Sequence, residues 1–284
     1  VSLRHDLAHD ALSDVELRAG SANAPLPASR DWSHSLFKFA ISLAGVKADV
    51  LLDMFLSYGN NVKFPTLSQQ ANVPALLDSG ATGWSLEAET NRSVELGISA
   101  TRSFSGRLVS GWEISAGLFQ NNYTNKIRGI NTPGIPVTLY DNVDDASITG
   151  LEGTAGVYVS GKRVFVELGL SRYFISDLSA FPFRSETKYT ADVSVNHAGY
   201  SFRIHAFREG EQIGILRLAD GSFSEAALPA FRNLDIHAGS SFTIGGIGAF
   251  FNISLRNVLN DSEVLLTGLA LRDRRYYVTI GAQY

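Results

Sequence analysis

The sequence predicts an all-β fold: a transmembrane, antiparallel, up-and-down β-barrel to which this chain gives about twelve strands. Three observations carry that prediction. Stretches of about ten residues alternate apolar and polar side chains, the period-two pattern of a strand with one oily and one wet face. The connections between them are by turns short and long, which puts the tight turns on one side of the sheet and the long loops on the other. Aromatic residues of the oily parity gather near both strand ends, as two wet interfaces around an aliphatic band would select.

Composition narrows the class further. Among 284 residues, 24 Lys and Arg stand against 28 Asp and Glu, and a net charge of -4 argues against a nucleic-acid partner, which needs a basic face. Cys is absent, in keeping with a strand-rich chain that crosses an oxidising compartment without disulfides. No run reaches the roughly 18 apolar residues of a spanning helix, and the longest, around Phe39–Val46, is broken by Ser42. Any membrane crossing must therefore be made by strands. Val1 follows no charged-then-apolar leader, which reads as a processed or partial chain.

Taken in order, Leu3–Leu17 is the weakest segment and reads as a strand. Ser33–Leu43 sets Phe37, Phe39, Ile41 and Leu43 on one face and Lys38 on the other, and Ala44–Lys47 reads as a tight turn. Asp49–Tyr58 places Val50, Leu52, Met54, Leu56 and Tyr58 outward, with Asp49, Asp53 and Ser57 opposite. Asn60–Glu89, holding Pro65, Pro74 and Gly80, is the longest gap. Thr90–Thr101 alternates Val94, Leu96 and Ile98 against Ser93, Glu95 and Gly97; after Phe104–Arg107 come Trp112, Ile114, Ala116 and Leu118 against Glu113 and Ser115.

Ile130–Asp145, with Pro133, Gly134 and Pro136, reads as a long loop. Leu151–Val159 and Val164–Tyr173 are strands about Ser160-Gly161-Lys162, and Ile175–Glu186 is a loop. Tyr189–Val195 and Phe202–Phe207 flank the Asn196–Gly199 turn. Gly210–Phe231 is long; Leu234–Ile244 and Ile247–Leu255 flank Gly245-Gly246, where Gly supplies turn geometry and not a phosphate loop. Asn257–Arg275 is a polar connection, and Tyr276–Tyr284 closes the chain. Tyr58, Tyr189 and Tyr276 mark the long-loop girdle; Trp112, Phe202, Phe242 and Tyr284 mark the tight-turn girdle.

Several segments resemble the C-terminal half of TonB-dependent outer-membrane transporters. Ser57-Tyr58-Gly59 through Phe64-Pro65 and Leu67 is similar to a strand exit of that family. Leu86–Gly97 is similar to its Leu-Pro-Glu-to-Tyr-Glu-Leu-Gly segment, and Phe119–Ile130, with Tyr123 and Ile127, resembles the strand that follows. Gly150-Leu151-Glu152-Gly153 matches a strand start, Leu255–Asn260 resembles a Val-x-Asn-Leu-Phe-Asp segment, and Arg274–Tyr284 resembles the closing strand. The chain departs from the pattern at Ala88, Leu259, Ala282 and Tyr284, where the family has Pro, Phe, an aromatic and Phe.

The resemblance implies one barrel domain over 1–284, the C-terminal portion of a 22-strand barrel. The family's plug, its TonB-contacting segment and the first strands have no counterpart here. It further implies a bacterial outer-membrane location, uptake of a bulky scarce solute (ferric siderophore, cobalamin or glycan), and contact with outer-membrane lipid and surface proteins. A plug, and through it TonB, would be supplied elsewhere. The alternative is a self-contained channel or structural barrel without energy coupling; a water-soluble all-β protein with its oily face inward is the third reading.

Candidate ligand contacts lie on the wet face and in the long loops: Glu95, Glu113, Glu167 and Arg203 on strands, and Phe64, Trp84, Arg217 and Phe231 in loops. The same charged residues suit a solvated, mutually paired barrel interior. His205 and His237 share the inward parity on neighbouring strands but lack a third ligand, so no metal or cofactor is expected. Catalysis is not expected either, because no Ser has a base at readable spacing and the His candidates face the polar side. Asn122-Tyr123-Thr124 is a glycosylation sequon by chance.

Overall fold

The structure is a computed structural model and describes residues 1–11, 29–70, 86–131, 138–261, 264–266, 269–270 and 273–283. Its strands are β1 (Ser2–Ala11), β2 (Ser29–Lys47), β3 (Val50–Lys63), β4 (Glu89–Ser103), β5 (Val109–Asn131), β6 (Thr138–Val159), β7 (Val164–Ile175) and β8 (Thr187–His197). They continue as β9 (Tyr200–Glu209), β10 (Gln212–Arg217), β11 (Phe223–Leu228), β12 (Phe231–Ile244), β13 (Ile247–Arg256), β14 (Val264–Leu266), β15 (Leu269–Ala270) and β16 (Arg275–Gln283). One short helix, Leu67–Gln70, interrupts the β3–β4 connection.

Tight reversals follow from local backbone chemistry. β2 and β3 join at Ala48-Asp49 (φ 51° and 62°), β8 and β9 at Ala198-Gly199 (48° and 83°), and β12 and β13 at Gly245-Gly246 (56° and 86°). Two successive left-handed residues are the mark of the type I′ turn, whose twist matches that of the flanking strands. The expected Ala44–Lys47 turn is thereby corrected. Pairing runs on from Ala44↔Asp53 to Lys47↔Val50, and the chain reverses only where Asp49 tolerates the left-handed region.

Twelve strands form an unbroken path of neighbours, β1 to β9 in order and then β12, β13 and β16, with every neighbouring pair antiparallel. That matches the strand number and the connectivity read from the sequence. Among the described residues β1 pairs only with β2, and β16 only with β13. These strands therefore do not close on themselves, and an open edge in hydrocarbon leaves backbone groups unpaired at several kcal/mol each.

Ile41, Leu43, Met54, Leu56, Leu96, Ile98, Ile114, Leu118, Leu168 and Ile280 are all exposed, Leu168 at 61% and Ile280 at 76%. The aliphatic rows thus lie on the outer face and do not build a water-soluble core. On the opposite face aromatic rings lie across glycines of the next strand: Phe55 faces Gly97, Phe119 faces Gly150 and Phe250 faces Gly281. A Cβ on any of these glycines would collide with the ring. The ring thereby covers backbone that a larger residue would push away.

The buried apolar clusters sit at the long-loop end. Ala146, Ile148, Ala180 and Phe181 pack with Phe119, Tyr123 and Tyr173, and Ile130, Leu139 and Ile215 form a second cluster with Ile213. Two expected connections are corrected here. β5 spans 23 residues and β6 spans 22, against the 9–11 or so that a bilayer requires. Phe119–Ile130 is the upper half of β5, the strand that follows β4, and Ile130–Asp145, expected as a loop, is mostly strand in its described residues. Gly210–Phe231, expected as a loop, folds into the β10–β11 hairpin, whose Leu216 meets Asn131 of β5 in parallel.

Candidate functional site

Polar chemistry gathers at two levels of the inner face. The lower level spans β5 to β9. Tyr158 donates to Glu113 (2.7 Å) and stacks on Phe165 with ring centroids 4.5 Å apart. Glu167 stands directly opposite Asp192. That like-charged pair is offset by Arg203, which donates to Asp192 from Nε and Nη2 at 3.0 and 2.7 Å, and by His205, whose Nδ1 lies 2.8 Å from its other oxygen. Asp192 is thus fully engaged, and the cluster is a mutually paired wall.

The upper level is built differently. Glu89, buried at the start of β4, accepts from Lys126 Nζ (3.0 Å) and from the Ile127 backbone N–H (2.9 Å). The Lys126 ammonium lies over Tyr123 and Phe181, 5.2 and 5.7 Å from the ring centres. Arg128 grips Asp141 with two bonds, 2.7 and 3.0 Å, and donates to Ser179 Oγ. Burial pushes the Tyr123 phenol above its ordinary 10.0; the Glu89 charge adds to this and Arg184 works against it.

Between these groups lies a pocket of about 550 Å³, floored by β5 and walled by Phe181–Ser185, Tyr173, Lys188 and Glu209. That volume suits a small-molecule ligand. Lys126 and Arg128 reach it with their charges already answered by carboxylates. Arg184 and Lys188 have no carboxylate within ion-pair distance among the described residues. Arg184 lies over Tyr173 (4.5 Å) and Lys188 over Phe207 (5.1 Å), so each cation keeps an aromatic face, and Glu209 stands opposite Lys188 on the next strand without an ion pair to it. Such an arrangement can hold an anion flanked by flat groups.

The residues singled out in the sequence scatter across these levels. Glu113, Glu167 and Arg203 come together in the lower wall. Glu95 stands apart, exposed and opposite Ser57 and Phe119. Phe231 packs edge-on against Phe207 (5.8 Å) and so borders the upper pocket through Lys188. Phe64 stacks on Trp32 (5.7 Å) at the far end of the sheet, where Arg30 lies over the same indole. Arg217 sits at the tip of the β10–β11 hairpin, opposite Phe223 and beside Gly221, away from the pocket. Trp84 lies outside the described residues.

Lys126, Arg128, Arg184 and Lys188 were not among the expected site residues. They come from two strands and a loop, so no spacing joins them, and the only local hint is the inward parity of Lys188 opposite Ser171. His205 and His237 turn to different partners, Asp192 and Ser254 Oγ. Among the described residues no three His, Cys, Asp or Glu side chains converge on one point.

In structure the chain resembles the copper transporter OprC, with a TM-score of 0.66 at 12% identity, covering 98% of this chain and 44% of that one. It also resembles BauA, the ferric preacinetobactin receptor of Acinetobacter baumannii (TM-score 0.59, 13% identity, 98% and 39% covered). The FrpB iron transporter of Neisseria meningitidis is similar at TM-score 0.57 and 14% identity, with 89% and 39% covered. The chain thus spans less than half the length of each of these proteins. No curated protein matches it in sequence. A family profile described as TonB dependent receptor-like, beta-barrel, matches residues 7–260. Profile, strand order and outward aliphatic rows agree, and the chain belongs to the TonB-dependent receptor β-barrel family.

Proposed function

We propose that this chain is the C-terminal barrel portion of a bacterial outer-membrane receptor that imports a bulky anionic solute of the ferric siderophore class. A plug and the remaining strands complete the barrel, and TonB drives release. The upper pocket carries this reading. Arg184 and Lys188 offer two cations that no carboxylate ion-pairs among the described residues, over the rings of Tyr173 and Phe207. A neutral glycan would gain little from that charge. BauA is a ferric preacinetobactin receptor and FrpB an iron transporter, which agrees with the class. The lower wall, with its paired Asp192, Arg203 and His205, serves as a polar lining for the passage and for a plug.

Uptake of radiolabelled iron by cells carrying the complete receptor tests the reading. Arg184→Ala with Lys188→Ala should weaken binding of an anionic ferric siderophore at least tenfold, the scale of losing about 1.4 kcal/mol. A neutral chelate should be unaffected. Uptake that persists without TonB, or equal loss for charged and neutral solutes, would overturn it in favour of an uncoupled channel.

A further inference from the structure

A further concavity lies away from the inner face. It is a groove of about 810 Å³ on the outer, apolar face. Register explains its shape. One cross-strand row reads Ile114, Ala155, Leu168, Ala191, Ala206, Leu234 across β5 to β12. Ala191 and Ala206 form a floor between the walls of Leu168 and Leu234, which stand three strand spacings apart, about 14 Å. That width admits acyl chains lying side by side.

The row just above, toward the long loops, reads Ala116, Gly153, Leu170, Tyr189, Arg208, Arg232. Its last two members are guanidiniums directly opposite each other on adjacent strands. Like charges in that position repel and destabilise the pairing. Both side chains are exposed, both line the groove, and neither forms an ion pair among the described residues. Asp261 accepts from the Arg232 backbone N–H (3.0 Å) and forms no ion pair with its guanidinium. Arg172, two positions above Leu170 on the same face of β7, shows the contrast, because Glu186 neutralises it at 3.2 Å.

An apolar trough capped by two unanswered cations at the level of an interfacial tyrosine matches one ligand chemistry. We infer that this face binds a phosphorylated, multiply acylated lipid of the outer leaflet, with acyl chains on Ala191 and Ala206 and phosphate between Arg208 and Arg232. Two guanidinium forks meet phosphate oxygens in the geometry they favour. The anion relieves the repulsion that the sheet otherwise carries. This goes beyond the transport reading and rests only on the outer face lying in the outer leaflet.

The test is native mass spectrometry of the complete receptor in detergent, with bisphosphorylated lipid A as probe. Wild type should retain the lipid; Arg208→Gln with Arg232→Gln should reduce retention at least tenfold, and Arg208→Lys with Arg232→Lys should recover much of it. Ala191→Leu with Ala206→Leu fills the trough and should displace the lipid with both arginines intact. Heat-modified gel mobility establishes that each variant is folded. Equal retention by the glutamine variant, equal retention of fully dephosphorylated lipid A, or displacement by millimolar inorganic phosphate would each overturn the inference. The Arg184→Ala, Lys188→Ala receptor should retain the lipid fully, so this site and the transport reading can fail separately.

Discussion

Within β5, the stretch from Trp112 to Leu118 and the stretch from Asn121 to Ile130 belong to one continuous strand but follow different rules. In the lower stretch Ile114 and Leu118 are exposed outward while Glu113 and Ser115 face inward to Tyr158 and Thr154. Alternation is strict, and no apolar core is needed. In the upper stretch Ile127 and Ile130 are buried and Lys126 is held by a buried carboxylate. Hydrocarbon stabilises the lower rows from outside. Once the strand stands in water, stability must come from burial against loops, as in any soluble domain. One barrel wall thus becomes two materials with a boundary near the tyrosine girdle.

The sharpest way to break that comparison is at Glu89. Its carboxylate holds both the Lys126 ammonium and the Ile127 N–H out of water. Replacing it with Ala leaves a cation and an amide without their partner, a loss of about 3–5 kcal/mol. Hydrogen exchange in the complete receptor should show rapid exchange at Ile127 and its neighbours on β5 and β6. Amides from Trp112 to Leu118 should keep their protection. Equal loss in both stretches would show that the wall is one cooperative unit.

A smaller effect is expected at the boundary itself. A Cβ on Gly150 would enter the ring of Phe119 and come within 2.9 Å of Tyr173 Cδ1. Rings crowd it from both neighbouring strands, so Gly150→Ala should cost about 1–3 kcal/mol in urea unfolding. Gly117→Ala, where the nearest atom is the Leu96 carbonyl oxygen at 3.9 Å, serves as the control and should be near neutral. Adding Phe119→Ala to Gly150→Ala should return part of the loss, since residues in contact do not act additively.

The boundary also explains what could be read from the sequence. Lipid imposes period two, so the strands of the lower wall, their number and their outward parity were legible in Val164–Leu170 and its repeats. Turn chemistry was legible at Gly245-Gly246 but misplaced at Ala48-Asp49, because Ala gives no sign of a positive φ. Above the girdle, Asn121–Lys126 is polar on both faces, and the alternation that marked β5 disappears while its pairing with β6 continues. For the same reason the upper pocket was hidden. Arg184 and Lys188 meet Lys126 only because the β7–β8 loop folds back over β5, where Ala180 and Phe181 pack beside Ala146 and Ile148. Long-range packing of that kind has no local signature.

The mildest expected effect concerns pH at Tyr123. The residue lies three positions above the row through Tyr58, Val94 and Gln120, about 10 Å into the upper region. Burial, reinforced by Glu89 and opposed by Arg184, raises its phenol above 10.0. Between that ordinary value and the higher folded one, the folded chain holds more protons than the unfolded chain. Stability of the upper region is therefore complete below pH 10 and falls as pH rises through the folded value. Subtilisin nicking of the loops in the complete receptor, followed from pH 9 to 11, should accelerate a few-fold beyond the change in protease activity. Tyr123→Phe removes the ionising group, and its nicking rate should follow protease activity alone. An identical pH profile in the two proteins would place the alkaline response elsewhere in the upper region and remove Tyr123 from its account.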